Sequence, residues 1–283
     1  MSLIDPETLL GRLGDPDLRL ADVRWWLSDP AKGRRDYEAA HLPGAVFVDL
    51  DRDLASPPAP AGPGRHPLPD AAAFAARIAE LGFDDASDIV VYDDAGGTVA
   101  ARLWWMLDDL GHPRVRVLDG GITAWSAIGG PLTELVPAHP AGRLHLRDRW
   151  TRTIDREGLA SRLGPVTVID ARAPERYRGD VEPVDAAPGH IPTARSLPTA
   201  GNLGPGGRFL APDALRARFE GFDTGVEVVT TCGSGVNACH NALAMRVAGL
   251  ADPLLYPGSY SDWVGSGMPI ATGKEPGVMP SGG

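Results

Sequence analysis

The sequence contains few cysteines and lacks a long apolar run. Only two cysteines, Cys232 and Cys239, occur among its 283 residues, which is too few for a disulfide framework. No stretch approaches the roughly 18 consecutive apolar residues that predict a membrane-spanning helix, and no charged-then-apolar leader follows Met1. We therefore expect neither export nor membrane insertion, and a cytoplasmic location that keeps the thiols reduced.

Positive charge is scarce as well. The 27 Lys and Arg residues are outnumbered by 37 Asp and Glu residues, and the net charge is −10 at pH 7. Such a chain repels nucleic acid and anionic membrane surfaces on average, so we expect neither as a partner and any anion-binding site to be local. Cys and His are not spaced as in metal-ligand sets, so we expect neither a metal nor a cofactor. The sequence leaves the oligomeric state open.

An internal repeat organises the chain. A shift of 138 residues aligns Asp94 with Cys232, Gly120 with Gly258 and Trp125 with Trp263, and a shift of 148 to 149 aligns residues 22–24 with 170–172 and 41–43 with 190–192. With 43% hydrophobic residues, a chain of this length can form two cores. We predict an N-terminal domain over residues 1–136 and a C-terminal domain over residues 153–283. Residues 137–152 have prolines and weak periodicity, which is typical of a linker.

Each half alternates strand and helix patterns. A strand ends in Asp-x-Arg, a His-x-Pro turn leads into a short strand, and a helix, a buried strand, a loop and a long helix follow. A last strand then precedes a short helix that carries a tryptophan. This alternation predicts an α/β fold in which each domain has a mostly parallel sheet with helices on both faces.

The loop after the buried strand of the second half carries a thiol. Thr231 ends a β-branched run and is followed by Cys-Gly-Ser-Gly-Val-Asn, residues 232–237, and then by a helical pattern. Unpaired amides and the helix dipole favour an anion at such a position, so a cysteine there is expected to be ionised at neutral pH. Gly233 and Gly235 would let the backbone fold around the sulfur with its amides pointing inward. We interpret Cys232 as a nucleophile, with a buried structural thiol as the alternative, and Cys239 as a core residue.

The tandem halves, the His-x-Pro turn in each half and the single Cys-Gly-Ser-Gly-Val loop resemble the two-domain rhodanese-like sulfurtransferases over nearly the whole chain. In that family the cysteine takes a sulfane sulfur from a donor, becomes a persulfide and passes the sulfur to an acceptor. The first half has Asp94 at the place of Cys232 and would be catalytically silent. The resemblance implies a small anionic donor and an acceptor such as cyanide, a small thiol or thioredoxin.

The loop and its surroundings resemble the 3-mercaptopyruvate branch of the family. Gly233 and Ser234 are neutral, whereas the thiosulfate branch carries two basic residues directly after the cysteine. Arg176 matches the arginine that binds the donor carboxylate, but the second arginine that is usual nine residues later is replaced by Asp185. The resemblance also implies that the loop residues bind the donor; these are Gly233, Gly235, Val236 and Asn237.

Two residues of the first half match an Asp and a His that handle protons in the mercaptopyruvate branch. They are Asp51 and His66, which would act together with Cys232 and Ser234. For His66, a solvated side chain on a proline-rich loop is the alternative. Arg172 has a repeat partner in the silent half, so we interpret it as part of a structural ion pair with Asp170.

Three other functions are compatible with parts of the pattern. A sulfurtransferase that prefers thiosulfate is one, since Asp185 removes an expected carboxylate clamp. A Cys-dependent phosphatase would need an arginine six positions after the cysteine, where Ala238 stands. A binding module without catalytic activity would not need an intact Cys232 loop. The fold alone does not decide among these functions.

Overall fold

The computed structural model describes residues 2–57, 64–222 and 226–279. The chain forms two compact units. The first comprises Met1–Ser56, Leu68–Thr151 and Leu203–Phe209, and the second comprises Pro57–Pro67, Arg152–Asn202 and Leu210–Gly283. A short segment of each half of the sequence thus belongs to the unit that is built mainly from the other half. Residues 137–151, most of the predicted linker, belong to the first unit.

The first unit contains a five-stranded parallel sheet. Its strands are β1 (Leu3–Ile4), β2 (Leu18–Asp22), β3 (Ala45–Phe47), β4 (Asp88–Tyr92) and β5 (Val115–Leu118), in the order β1-β5-β4-β2-β3. Four consecutive residues of β4 are buried. Because consecutive side chains of a strand point to opposite faces, both faces of the sheet are covered at β4.

Helices occupy the connections of the first unit. They are α1 (Pro6–Leu10), α2 (Lys32–Ala39), α3 (Leu50–Asp53), α4 (Ala71–Glu80), α5 (Ala100–Asp109) and α6 (Gly121–Ala127). Helix α4 begins after Asp70, whose carboxylate accepts a hydrogen bond from the amide of Ala73, as helix-capping residues do. The buried residues recur every three or four positions, as in an amphipathic helix; they are Ala71, Phe74, Ala75 and Ile78.

The second unit repeats this arrangement with a four-stranded parallel sheet. Its elements are α7 (Arg156–Arg162), β6 (Thr167–Asp170), α8 (Pro174–Arg178), β7 (Arg195–Ser196), α9 (Pro212–Phe219), β8 (Val228–Thr231), α10 (Ala238–Val247), β9 (Leu254–Leu255) and α11 (Ser259–Gly265). The strand order is β7-β6-β8-β9. All four residues of β8 are buried, so the strand that leads to Cys232 lies inside the unit. The predicted α/β fold with parallel sheets is confirmed.

An Asp-x-Arg pair performs the same structural task in both units. Arg24 donates to the Asp22 carboxylate at 2.6 Å and to the carbonyl oxygen of Ala40 at 2.7 Å. In the second unit, Arg172 donates to the Asp170 carboxylate at 2.7 Å and also to a carbonyl oxygen. Both arginines are buried. The interpretation of Arg172 as part of a structural ion pair agrees with these contacts.

The histidines of the His-x-Pro turns are also structural. Nδ1 of His41 lies 2.7 Å from the carbonyl oxygen of Tyr37, and the two rings stack with centroids 4.0 Å apart. His190 makes the same pair of contacts with Tyr177, at 2.7 Å and 3.8 Å. The repeated residues therefore fix the turn that precedes β3 and β7.

The helices of the described ranges fall short of the length and apolar character that crossing a membrane would require.

Candidate active site

Cys232 lies directly after strand β8, where the β-branched residues give way to a glycine-rich loop. It is buried, with 2% of its surface exposed. The amide of Gly235 donates a hydrogen bond to Sγ of Cys232 at 3.1 Å. Gly235 has a φ of +79°, and a Cβ at this position would lie 2.3 Å from the carbonyl oxygen of Pro257. Glycine is therefore required for the turn that directs a backbone N–H at the sulfur.

The start of helix α11 holds the Cys loop from the other side. The carbonyl oxygens of Cys232 and Gly233 accept hydrogen bonds from the amides of Tyr260 and Ser261, at 3.0 and 2.9 Å. The amide of Cys232 donates to Oγ of Ser259 at 3.1 Å. Ser259 has a φ of 52°, in the left-handed region that residues other than glycine rarely adopt. The Ser259 hydroxyl accepts the hydrogen bond of the Cys232 amide and so connects the Cys loop to the start of helix α11, although the Ser259 backbone is strained.

A serine and a histidine form a hydrogen-bonded pair at the same loop. Nδ1 of His66 lies 2.8 Å from Oγ of Ser234, and both residues are buried. His66 belongs to the segment Pro57–Pro67 of the second unit. Its side chain is therefore held beside the loop and is not solvated. A hydroxyl hydrogen-bonded to an imidazole can pass a proton.

Two guanidinium groups lie beside the loop at Gly233. A Cβ at this glycine would lie 2.8 Å from Nη2 of Arg65 and 3.7 Å from Nη1 of Arg176. Asp185 connects the two cations, since one of its oxygens accepts from Nη1 of Arg65 and the other accepts from Nη2 of Arg176 at 2.9 Å. The loop itself is uncharged, so the positive charge here comes from other segments of the unit.

Two buried carboxylates hold these arginines, and their pKa values shift in opposite directions. Burial raises the pKa of Asp185 above its ordinary value of 3.8, although the charge of Arg65 favours the ionised form. Burial also acts to raise the pKa of Glu182, but hydrogen bonds from Arg176 and from the amides of residues 184 and 185 outweigh it and lower the pKa. Glu182 contacts Arg176 at 2.6 and 3.2 Å. Glu182 is thus the more firmly ionised of the two.

The remaining predicted site residues are Val236, Asn237 and Asp51, and Cys239 was interpreted as a core residue. Val236 is buried in the loop, and Asn237 is the residue that precedes helix α10, without a side-chain capping bond. Asp51 lies in the first unit, where its carboxylate accepts from Nε1 of Trp25 at 2.8 Å. Cys239 is fully buried in α10, and its Sγ lies 3.4 Å from the carbonyl oxygen of Gly235. The structure therefore brings together Cys232, Ser234, His66 and Arg176 within one unit, and it places Asp51 in the other.

In the first unit the loop that corresponds to the Cys loop is filled by a carboxylate of the chain itself. Asp93 is completely buried. Its oxygens accept hydrogen bonds from the amides of residues 95, 97, 99 and 100, at 2.8 to 2.9 Å. Under the repeat, Gly97 corresponds to Gly235, the residue whose amide contacts the sulfur in the second unit. The same amide thus binds an internal anion in one unit and the thiol in the other.

Comparisons with known proteins identify the family. A rhodanese-like domain matches residues 5–128 and again residues 156–266. The chain belongs to the rhodanese-like family. It is 43% identical over 278 residues to a probable 3-mercaptopyruvate sulfurtransferase of Pseudomonas aeruginosa, covering 96% of this chain and 98% of the relative. It is 35% identical over 267 residues to the thiosulfate sulfurtransferase of Bos taurus, covering 89% of this chain and 86% of the relative.

A solved structure agrees with this assignment. The 3-mercaptopyruvate sulfurtransferase from Leishmania major superposes with a TM-score of 0.83 and 29% identity, over 94% of this chain and 74% of that one. These three relatives are named sulfurtransferases and match most of the chain, and this chain is a sulfurtransferase as well. The repeat predicted two domains and the family resemblance predicted that both are rhodanese-like, and the double match confirms this.

Arg65 is the residue of this rhodanese-like site that the sequence analysis missed. It lies one position before His66, in a proline-rich segment without a helix or strand pattern, and its partner Asp185 is 120 residues away. The available signal was Asp185 at the position of the expected second arginine, because an anion-binding site that lacks this cation can obtain one from another segment of the chain. In the part of the chain that the structure describes, no three His, Cys, Asp or Glu side chains group together as a metal site requires.

Proposed function

We propose that this sulfurtransferase takes a sulfur atom from 3-mercaptopyruvate on Cys232 and passes it to a thiol or to cyanide. The observation that carries the proposal is the hydrogen bond from the Gly235 amide to Sγ of Cys232, in a loop bordered by two guanidinium groups. An N–H aimed at sulfur stabilises the thiolate, which is the nucleophilic form of cysteine. The guanidinium groups favour an anionic donor.

The reaction divides into two displacements at sulfur. The Cys232 thiolate attacks the sulfur of the donor, a sulfur–sulfur bond forms, and the carbon–sulfur bond breaks. The electron pair of that bond leaves with the carbon as the enolate of pyruvate, which takes up a proton. An acceptor thiolate or cyanide then attacks the outer sulfur of the Cys232 persulfide, and the cysteine thiolate leaves. Each step exchanges one bond to sulfur for another, so no external oxidant or reductant is needed.

Ser234 and His66 are suited to supply the proton that the enolate needs. Their hydrogen bond of 2.8 Å joins a hydroxyl in the loop to an imidazole, a group that can both give and take a proton. General acid catalysis of this kind contributes on the order of a hundredfold to ten-thousandfold. The participation of Asp51 stays a prediction from the family resemblance.

Thiosulfate is the second candidate donor. Arg65 and Arg176 beside Gly233 would attract any small anion, and a relative of similar length is a thiosulfate sulfurtransferase. Thiosulfate releases sulfite, which needs no proton at carbon, and so it would not use the Ser234–His66 pair. Comparing kcat/KM for the two donors therefore separates the candidates, with a higher value expected for mercaptopyruvate.

The partners in this proposal are small molecules and a thiol protein. A small thiol, cyanide or thioredoxin would each present the nucleophile that the second displacement requires. Both cysteines are buried thiols that form no disulfide, which suits a reducing compartment such as the cytoplasm.

Intact mass measurement tests the persulfide. Incubation with mercaptopyruvate should add one sulfur, about 32 Da, to the wild-type protein and to Cys239→Ser. The gain should vanish in Cys232→Ser and disappear from the wild type after addition of dithiothreitol. A gain that survives in Cys232→Ser but is lost in Cys239→Ser would contradict the assignment.

A further inference from the structure

Arg65 supplies the Cys loop with a cation that comes from a distant segment. Its Nη2 is the atom nearest to the place where a side chain of residue 233 would begin, at 2.8 Å. In the thiosulfate branch of the family, basic side chains follow the cysteine directly, whereas this loop has Gly233 and Ser234 there. The guanidinium group of Arg65 thus lies where a basic side chain of the loop would otherwise start.

The backbone fixes Arg65 to the loop with little freedom. Gly64 has a φ of +91°, and a Cβ there would lie 2.5 Å from the carbonyl oxygen of Gly258, so this segment lies directly against the start of helix α11. The amide of Arg65 donates to Oγ of Ser261 at 3.1 Å, and the amide of Ser261 donates to the carbonyl oxygen of Gly233 at 2.9 Å. Ser261 therefore connects the arginine and the Cys loop through two consecutive hydrogen bonds.

One N–H donor of Arg65 has no partner in the part of the chain that the structure describes. A guanidinium group carries five N–H bonds. Asp185 accepts from Nη1, while Nε is buried and has no hydrogen-bond partner within residues 2–57, 64–222 and 226–279. Burying an N–H donor without a partner is costly, and a ligand that accepts from it would remove this cost.

The guanidinium group of Arg176 lies beside the same glycine as that of Arg65. Its Nε and Nη2 contact the carboxylates of Glu182 and Asp185, and its Nη1 is the atom at 3.7 Å from the Cβ position of Gly233. Nη2 of Arg176, which both carboxylates bind, would lie 3.9 Å from the same Cβ position. Both guanidinium groups therefore lie beside the residue next to the nucleophile, with Nη2 of Arg65 and Nη1 of Arg176 as their nearest atoms.

We propose that Arg65 is a second substrate-binding residue of this enzyme and that, together with Arg176, it binds the carboxylate of 3-mercaptopyruvate. This inference rests on the proposed function. Asp185, which stands where the family resemblance predicts the second arginine, is then the shared counter-ion of the two cations. The charge that this position lacks comes instead from the segment before His66, so the same short segment provides both a carboxylate ligand and a proton-handling residue.

Steady-state kinetics of Arg65→Gln test this assignment. Removal of a charged hydrogen bond to a carboxylate should raise KM for mercaptopyruvate roughly tenfold to a hundredfold. The value of kcat should change far less, because a group that holds the carboxylate acts alike in the ground state and in the transition state. The KM of Arg65→Lys should lie between the values of the wild type and of Arg65→Gln, since an ammonium group keeps the charge but lacks the planar geometry of a guanidinium group. KM for dithiothreitol, an uncharged acceptor, should not change.

Arg178→Gln is the matched control, because it removes one arginine from the helix that carries Arg176. Arg178 is part of helix α8 like Arg176, but it is only half-buried and pairs with Asp180. Its KM for mercaptopyruvate should equal that of the wild type. A KM of Arg65→Gln within about twofold of wild type, in a protein whose thermal midpoint shows it to be folded, would overturn the inference. An increase confined to thiosulfate would overturn the assignment to a carboxylate.

Binding of pyruvate separates this inference from the proposed function. Pyruvate carries the same carboxylate and no sulfur, so calorimetric titration measures its affinity without any transfer. Weaker binding to Arg65→Gln than to wild type supports the role of Arg65 even if mercaptopyruvate leaves no sulfur on Cys232, in which case only the proposed reaction fails. Equal binding to both proteins, with a normal persulfide in each, overturns the role of Arg65 alone.

Discussion

Replacement of Gly235 by alanine should slow persulfide formation by moving the Cys loop, apart from any loss of stability. The residue has a φ of +79°, and its amide is the one that donates to Sγ of Cys232. A Cβ at this position would lie 2.3 Å from the carbonyl oxygen of Pro257, which is backbone and cannot turn aside. The loop must therefore move, and its movement takes the N–H away from the sulfur.

Two separate effects follow, and they are measured differently. Holding alanine in the left-handed region costs about 1 to 2 kcal/mol of stability. Loss of a hydrogen bond to a charged sulfur costs about 1.5 to 3 kcal/mol. If this bond stabilises the thiolate form that attacks the donor, persulfide formation should slow roughly tenfold to a hundredfold.

Rapid mixing with mercaptopyruvate, followed by acid quench and intact mass, gives the rate of persulfide formation. Gly267→Ala is the control for strain, since Gly267 has a φ of +69° and a Cβ there would meet no atom within 4 Å. That variant should lose about 1 kcal/mol of stability and keep the wild-type rate. A wild-type rate in Gly235→Ala would refute the reasoning, because the amide would then be dispensable.

The remaining predictions concern three buried polar groups. Asp93→Asn should lower the free energy of unfolding by about 1.5 to 3 kcal/mol in urea titration, because a charged acceptor of four amides is lost, whereas exposed Asp94→Asn should not lower it. His66→Gln should reduce kcat with mercaptopyruvate about a hundredfold and with thiosulfate much less; equal losses would contradict a role in protonating carbon. Burial lowers the pKa of His112 below its ordinary value of 6.5, so the unfolded chain binds the proton more readily and acid destabilises the fold. Between about pH 7 and pH 5 the wild type should therefore lose more stability than His112→Gln, and parallel losses would show that another group is responsible.

The fold was predictable because its signals are local and occur twice. Strand and helix periodicities, the Asp-x-Arg pair and the His-x-Pro turn can each be found within a few residues, and the repeat showed that they belong to two domains. The two-residue strand β1 escaped prediction, since so short a run carries no periodicity. The Cys loop was predictable for the same reason as the other local features, because a strand, a glycine-rich turn and a helix follow one another directly in the sequence.

The surroundings of the loop were only partly predictable. The contact between Arg65 and Asp185 joins residues 120 positions apart, and no periodicity reports such a meeting. The backbone of Ser259 could not be foreseen either, because its positive φ is imposed by the loop that it supports and serine does not favour it. His66 could be proposed from the family pattern, but its hydrogen bond to Ser234 depends on the folding of the Pro57–Pro67 segment into the second unit.

The carboxylate of Asp93 gives the silent loop a ligand that never dissociates. A free anion must reach a loop of this kind from solution and is bound only at concentrations near its dissociation constant. Asp93 is attached to the strand that leads into the loop, so its effective concentration at the amides is set by the chain and is independent of the solution. The corresponding residue of the second unit is Thr231, whose hydroxyl cannot act as an anion. The two copies of the loop thus bind different groups of the chain: the first binds a carboxylate, which cannot carry sulfur, and the second binds a thiol, which can.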